Sequence, residues 1–166
     1  MSLPTWLPAP LKPASFPDAS ALEAAAWAAF QQDFSSTPEF RSERVNVNRR
    51  PHPARSDRHH TYWHAVTEGR PETARTNPET ERLEHIPWAR PVIENEACQQ
   101  SSIKVWSNRR GSDTHICIWF DRINYLVVLK RLRTNYLLKT TYSPQSRRRQ
   151  QLHREYAAWK KNGARL

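Results

Sequence analysis

The chain has 166 residues, with 26 Lys and Arg against 16 Asp and Glu and a formal net charge of +10. Its length suits one domain with a short extra arm. Only 3 glycines are present, at widely separated positions, so the chain lacks the glycine-rich loop that cradles phosphates in P-loop NTPases and Rossmann enzymes. Both enzyme classes are therefore excluded.

The two cysteines, Cys98 and Cys117, form neither a CxxC pair nor a zinc-ligand cluster, so we expect no disulfide framework and no metal site. No apolar stretch approaches the ~20 residues that span a bilayer. The N-terminus lacks the basic start and apolar core of a secretion signal. These features predict a cytoplasmic protein without membrane contact, and nothing in the sequence calls for a cofactor.

Positive charge is concentrated in the C-terminal part of the chain. Residues 103–166 hold fifteen Lys and Arg against three Asp and Glu, whereas residues 1–40 and 61–102 are net acidic. A polyanion is the expected partner of such a surface, and nucleic acid is the commonest one. A basic surface without a specific partner is the alternative. The candidate nucleic-acid-binding side chains of this part are Arg109, Arg110, Arg147, Arg148 and Arg149.

The first half of the chain divides into an arm and a mixed segment. Residues 1–19 are rich in proline, which indicates an extended arm, and the domain itself is expected to span residues 20–166. Ser20 and Glu23 resemble a capping box at the start of a helix that ends near residue 35. Residues 49–58 are expected to form a mobile basic loop. The aromatic and β-branched run 60–66 predicts a strand.

The second half predicts a regular antiparallel sheet. A helical segment starts near residue 77 and is interrupted at Pro87. Four strand-like runs follow, at 103–107, 114–121, 125–130 and 136–142, and their short connectors demand antiparallel neighbours. Ser143 and Pro144 are expected to open a final helix with a basic face. The predicted fold class is α+β, with N-terminal helices packed on a four-stranded antiparallel β-meander and a C-terminal helix.

The candidate chemistry is metal-independent cleavage of RNA. Thr140 and Tyr142 are two apart on the last predicted strand and therefore share a face. A histidine such as His64 can take the proton of a ribose 2′-hydroxyl, and hydroxyls and cations can hold the phosphorane oxygens. The alternative is structural, because Thr and Tyr are good strand residues without any function.

Several runs of the chain resemble one nuclease superfamily. They include Tyr62-Trp-His-Ala-Val-Thr67, Glu81-Arg-Leu-Glu-His-Ile-Pro-Trp-Ala-Arg90 and Tyr136-Leu-Leu-Lys-Thr-Thr-Tyr142. Over residues 55–160 the chain resembles phage-borne members of the superfamily that unites barnase, EndoU, colicin-type tRNases and RelE-type toxins. The resemblance implies helices on a four-stranded antiparallel sheet and a metal-independent ribonuclease, often a toxin. RNA, with tRNA among the candidates, and an antitoxin or immunity protein are the implied partners.

The resemblance also implies roles for individual residues. Thr140 and Tyr142, followed by Pro144 with Ser143 inserted, are similar to the active-site ending of the EndoU type. His64 would be the base, and His85 and His60 compete to be the second histidine. Lys139 matches a frequent lysine of the family, but regular alternation places it opposite Thr140 unless a bulge turns it. Arg90 would bind phosphate in a bidentate manner, through two N–H groups of its guanidinium.

Three functions remain open from the sequence. The first is a ribonuclease that leaves a 2′,3′-cyclic phosphate. The second is a non-catalytic nucleic-acid-binding phage protein on the same fold. The third is an ADP-ribosyltransferase, which the scarcity of glycine disfavours. The first two differ in whether His64, Thr140 and Tyr142 converge in one cleft.

Overall fold

A mixed sheet of six strands forms the centre of the α+β fold in the computed structural model, which describes residues 2–166. The strands are β1 (Glu39–Phe40), β2 (Glu43–Asn46), β3 (Pro51–His52), β4 (Arg55–His59), β5 (Lys104–Arg110), β6 (Asp113–Phe120), β7 (Tyr125–Arg131) and β8 (Tyr136–Tyr142). The helices are α1 (Ala19–Asp33), α2 (His60–Val66), α3 (Thr80–His85), α4 (Ala89–Glu94) and α5 (Ser146–Lys161).

The sheet is larger than the predicted four-stranded meander, and it is not purely antiparallel. Its order is β1-β2-β8-β7-β6-β5, and β2 runs parallel to β8 while the other neighbours are antiparallel. The predicted runs do form β5 to β8. The prediction missed the extension because β1 and β2 have only 2 and 4 residues, too few for a clear alternating pattern.

The contact between β2 and β8 is short, and this shapes the molecule. It covers only the pairs Val45–Tyr136 and Asn46–Leu137. Beyond Leu137 the outer edge of β8 leaves β2, and α2 packs beside it. The C-terminal half of β8 thus has a helix rather than a strand at its outer edge.

A β-bulge interrupts β8 at Lys139. Val128 pairs with Thr140 and Leu129 pairs with Leu138, so Lys139 is the extra residue of the pair of strands. Successive side chains of a regular strand alternate between its two faces, so one inserted residue shifts this alternation for all the residues that follow it. Thr141 is consequently buried on the same side as Leu138, in place of Thr140.

Residues 60–66 form the helix α2, so the predicted strand is wrong. Four side chains of this segment are 0% exposed, and their spacing places them on one face of a helix. They are Tyr62, Trp63, Ala65 and Val66. The aromatic and β-branched composition favoured a strand, but packing against the core overrides such propensities. The helix also places His60 and His64 one turn apart on the same side.

Three local predictions also need correction. Residues 49–58 are not simply a loop, because β3 and β4 pair there as an antiparallel hairpin. The cap of α1 is Asp18, whose side chain accepts from the amide of Ala21, while Glu23 forms a buried ion pair with Arg58. Helix α5 begins at Ser146 after the N-cap Gln145, later than Ser143 and Pro144.

Two hydrophobic clusters cover the two faces of the sheet. The larger one packs α1 to α4 and the N-terminal arm against one face, and the smaller one packs α5 against the other through Leu152. In the arm, Leu7 is buried, Trp6 stacks on Phe120, and Trp88 donates its indole N–H to the carbonyl of Pro8. Within residues 2–166, no helix has the length and apolar character needed to cross a membrane.

Candidate functional site

A cavity of about 460 Å³ lies beside the C-terminal end of β8, between α2, α3 and the start of α5. It is lined by side chains from distant parts of the sequence. His64, Thr140 and Tyr142 all line it, so the structure brings together three of the five residues predicted as catalytic, and His85 and Lys139 do not line it. The remaining lining residues are Thr67, Glu68, Arg75, Glu79, Glu81, Arg82, Ser143, Gln145 and Arg148.

His64 lies on the last turn of α2 and is half-buried. Burial, helped by the positive charges of Arg75 and Lys139, lowers the pKa of His64 to about 4. The ring is therefore neutral at pH 7, the form that accepts a proton. Its Nδ1 atom is buried and has no hydrogen-bond partner within residues 2–166.

Arg75 fastens the loop after α2 to the helix itself. Its guanidinium donates to the backbone carbonyls of His64 at 3.1 Å, Thr67 at 3.0 Å and Gly69 at 3.0 Å. The His64 and Thr67 carbonyls belong to the end of the helix, where the last carbonyls have no partner inside the helix, and the Gly69 carbonyl belongs to the loop that follows. Arg75 thereby orders the wall of the cavity and also brings a fixed positive charge to it.

Two more arginines of the cavity are held in place by acidic neighbours. Arg82 pairs with Glu79 at 2.7 Å and also donates to the carbonyl of Ala65. Arg148, on α5, pairs with Glu155 at 2.6 Å. Because both side chains are already bound, they supply oriented charge with little further loss of side-chain entropy.

Tyr142 lies between these two arginines. Arg148 Nε donates to the phenol oxygen at 3.4 Å, and the Arg82 guanidinium lies over the ring, 5.1 Å from its centre. The phenol oxygen therefore acts as acceptor toward Arg148, which leaves its own O–H free to donate into the cavity.

Lys139 does not line the cavity, but it lies close enough to influence it. As the extra residue of the β8 bulge, it escapes the strict alternation that placed it opposite Thr140. Its charge contributes to the lowered pKa values of both His64 and His115. The structure thus places Lys139 near the predicted base without direct contact to the cavity.

His85 and Arg90 lie away from the cavity and have other partners. The His85 ring stacks on Trp88 with a centroid distance of 4.1 Å, and burial lowers its pKa. Arg90 pairs with Glu94 and donates to the carbonyls of Asp33 and Ser36, which joins α4 to the end of α1. Packing and interhelical bonding account for both residues.

The other predicted arginines fall into two groups on the surface. Arg109 and Arg110 are exposed at the end of β5, at the turn toward β6. Arg147 and Arg149 are exposed on the first turn of α5 and line a second hollow beside the cavity. Only Arg148, between the latter two, lines the cavity itself.

No sequence pattern indicated the roles of Arg75 and Arg82. Arg75 lies in an irregular segment between the short 3-10 helix 72–74 and α3, where no periodicity applies. Arg82 looks like one charge on a solvated helix face, a common feature of surface helices. Their roles depend on the return of the chain from α2 to α3, which only the folded structure reveals.

One cluster has the composition of a metal site. His52, His60 and Glu72 place their ligand atoms within 4.8 Å of one another. However, the amide of Ala54 donates to Nδ1 of His52 at 3.0 Å, so Nε2 of that neutral ring carries the hydrogen and cannot ligate a metal. His60 and Glu72 bond each other at 3.1 Å. Two ligands remain where a closed zinc site needs four.

Comparisons of the chain with protein-family models, with curated proteins and with solved structures found no match.

Proposed function

We propose that the chain is a metal-independent endoribonuclease, and that its substrate is RNA cleaved by attack of a ribose 2′-hydroxyl. The observation that carries the proposal is the convergence of His64, Thr140 and Tyr142 with three arginines in one cavity. This set offers a neutral base, a proton donor and fixed positive charge, which are the groups that such a reaction needs.

In the first step, His64 takes the proton of the 2′-hydroxyl. The 2′ oxygen then forms a bond to phosphorus, and negative charge grows on the non-bridging oxygens. Thr140 and the arginines Arg75, Arg82 and Arg148 stabilise this charge through hydrogen bonds and Coulomb attraction. The fixed positions of the arginines mean that little reorganisation is required as the charge develops.

In the second step, the bond between phosphorus and the 5′ oxygen breaks. Tyr142 gives its proton to the leaving oxygen, and Arg148 stabilises the phenolate that remains. The products are a 2′,3′-cyclic phosphate and a free 5′-hydroxyl. Proton exchange with solvent then returns His64 to its neutral form and Tyr142 to the phenol.

The experiment is incubation of the purified protein with tRNA and with mixed RNA in the presence of EDTA. We expect cleavage products that end in a cyclic phosphate, and a loss of cleavage in His64→Ala. His153→Ala is the matched control, because His153 is exposed on α5 outside the cavity. Absence of cleavage by the wild-type protein, or equal cleavage by His64→Ala, would show the proposal to be wrong.

A non-catalytic nucleic-acid-binding protein is the second candidate, and the exposed cations of α5 favour it. Arg147 and Arg149 have no acidic side chain in the first turn of the helix to neutralise them. This candidate predicts strongly salt-dependent binding of RNA and DNA alike without cleavage. The EDTA experiment separates the two functions, since only the nuclease generates a cyclic phosphate.

A further inference from the structure

A second hollow adjoins the cavity across the segment that leads from β8 into α5. Its volume is about 500 Å³. Three residues, Glu81, Ser143 and Gln145, line both spaces, so the hollow and the cavity are direct neighbours. The remaining residues of the hollow are Asn124, Pro144, Ser146, Arg147 and Arg149.

The arginines of the two spaces differ in what they already bind. In the cavity, Arg75, Arg82 and Arg148 are engaged by backbone carbonyls or carboxylates. In the second hollow, the guanidinium groups of Arg147 and Arg149 are exposed and have no ion pair or hydrogen bond within residues 2–166. Their charge is therefore available to an incoming anion.

These two groups of arginines suit two different roles in binding one polyanion. The held arginines suit a reacting phosphate, because fixed charges lower the cost of reorganisation. The free arginines suit a phosphate that is only bound, because guanidinium forks pair with phosphate oxygens on contact. Because the two spaces are direct neighbours, they suit consecutive phosphates of one strand.

We propose that the second hollow is a binding site for the phosphate next to the cleaved one in an RNA strand, with Arg147 and Arg149 as its ligands. The inference rests on the proposed function, since it takes the cavity as the site of cleavage. The proposed site predicts that the shortest efficiently cleaved substrate is a trinucleotide, which has two phosphates. A dinucleotide with one phosphate fills the cavity and leaves the second hollow empty.

The test compares the double variant Arg147→Ala/Arg149→Ala with Arg44→Ala/Arg133→Ala. The control removes the same charge from exposed arginines that line neither space, one on β2 and one between β7 and β8. Binding is measured with 2′-O-methyl dinucleotides and trinucleotides of mixed sequence, which lack the attacking hydroxyl. Cleavage is measured with the corresponding RNA oligonucleotides in EDTA.

We expect the wild-type protein to bind and cleave the trinucleotide about tenfold better than the dinucleotide, the gain of one charge-assisted phosphate contact. The Arg147/Arg149 variant should lose this advantage and keep its rate on the dinucleotide. Its slope of log affinity against log salt should fall by about 0.7 for the trinucleotide, the value of one lost phosphate contact on a single strand. The Arg44/Arg133 variant should behave as wild type.

The outcomes distinguish the two proposals. If the wild-type protein cleaves RNA but treats both lengths alike, or if the control pair has the same effect, the second hollow is not a phosphate site. If the trinucleotide binds more tightly than the dinucleotide but neither is cleaved, the phosphate site is supported and the nuclease proposal is wrong. If neither oligonucleotide binds or is cleaved, both proposals are overturned.

Discussion

Arg75 donates a hydrogen bond to the backbone carbonyl of His64 at 3.1 Å. One side chain therefore binds the C-terminal end of α2 and also places a positive charge beside the predicted base. The same guanidinium bonds two further carbonyls of the loop. A lysine keeps the charge but cannot reach three acceptors from one planar group. The geometry of Arg75, rather than its charge alone, therefore orders this wall of the cavity.

The first prediction concerns Arg75→Lys. We expect the free energy of unfolding to fall by about 1–3 kcal/mol, because hydrogen bonds to charged groups are lost at half-buried carbonyls. Urea unfolding measures the change. Arg70→Lys is the matched control, since Arg70 is an exposed arginine of the same loop. An Arg75→Lys variant as stable as the control would contradict the role assigned to the guanidinium.

The second prediction concerns the pH dependence of cleavage. His64 acts as a base only when neutral, and its pKa is lowered to about 4 by burial and neighbouring cations. Cleavage efficiency, measured as kcat/KM, should therefore be retained as the pH falls from 7 to 5 and decline only near pH 4. An acid limb near pH 6.5, the ordinary range of histidine, would argue against His64 as the base.

The third prediction concerns Tyr142 as the proton donor. Tyr142→Phe keeps the ring beneath Arg82 and removes only the hydroxyl, so we expect normal folding and a 10²- to 10⁴-fold loss of kcat, the usual contribution of a general acid. The loss should largely disappear with a nucleoside 3′-(4-nitrophenyl phosphate), because its leaving group needs no proton. An equal loss on both substrates would assign Tyr142 a role in binding or packing. Tyr156→Phe, on α5, is the matched control.

The fourth prediction concerns acid stability. Burial lowers the pKa of His85, so the unfolded chain binds a proton more readily than the folded one. The stabilising contribution of the neutral ring is present above the ordinary histidine pKa of about 6.5 and is lost as pH falls below it. Urea unfolding should show lower stability at pH 5 than at pH 7. His85→Gln should reduce this difference, and an undiminished difference in that variant would contradict the contribution of the buried ring.

The sequence predicted β5 to β8 well because each is long and the connectors between them are short. It failed at α2, where aromatic residues with high strand propensity pack as one face of a helix. It also missed the parallel contact of β2 with β8, since two residue pairs leave no periodic signal. Such contacts depend on the path of the whole chain rather than on local composition.

For the candidate site, too, the sequence predicted some features and missed others. His64, Thr140 and Tyr142 were selected from residue type and spacing, and they line one cavity. The cations around them were only partly anticipated, because Arg75 reaches the site from an irregular loop. Lys139 was an open question in the sequence, and the register of β8 with β7 answers it, since a bulge is a property of the pair and not of one strand.

The last prediction concerns this bulge. Deletion of Lys139 removes the extra residue and makes β8 regular, while Thr140, Thr141 and Tyr142 keep their partners Val128, Val127 and Leu126 on β7. These residues therefore keep their facing, with Thr141 buried and Tyr142 in the cavity. We expect the deletion variant to fold, as seen by thermal unfolding, and to retain cleavage. Lys139→Ala removes the same charge, keeps the bulge and is the matched control. A deletion variant that folds but is inactive, beside an active Lys139→Ala, would show that the bulge itself is needed to position Thr140 and Tyr142.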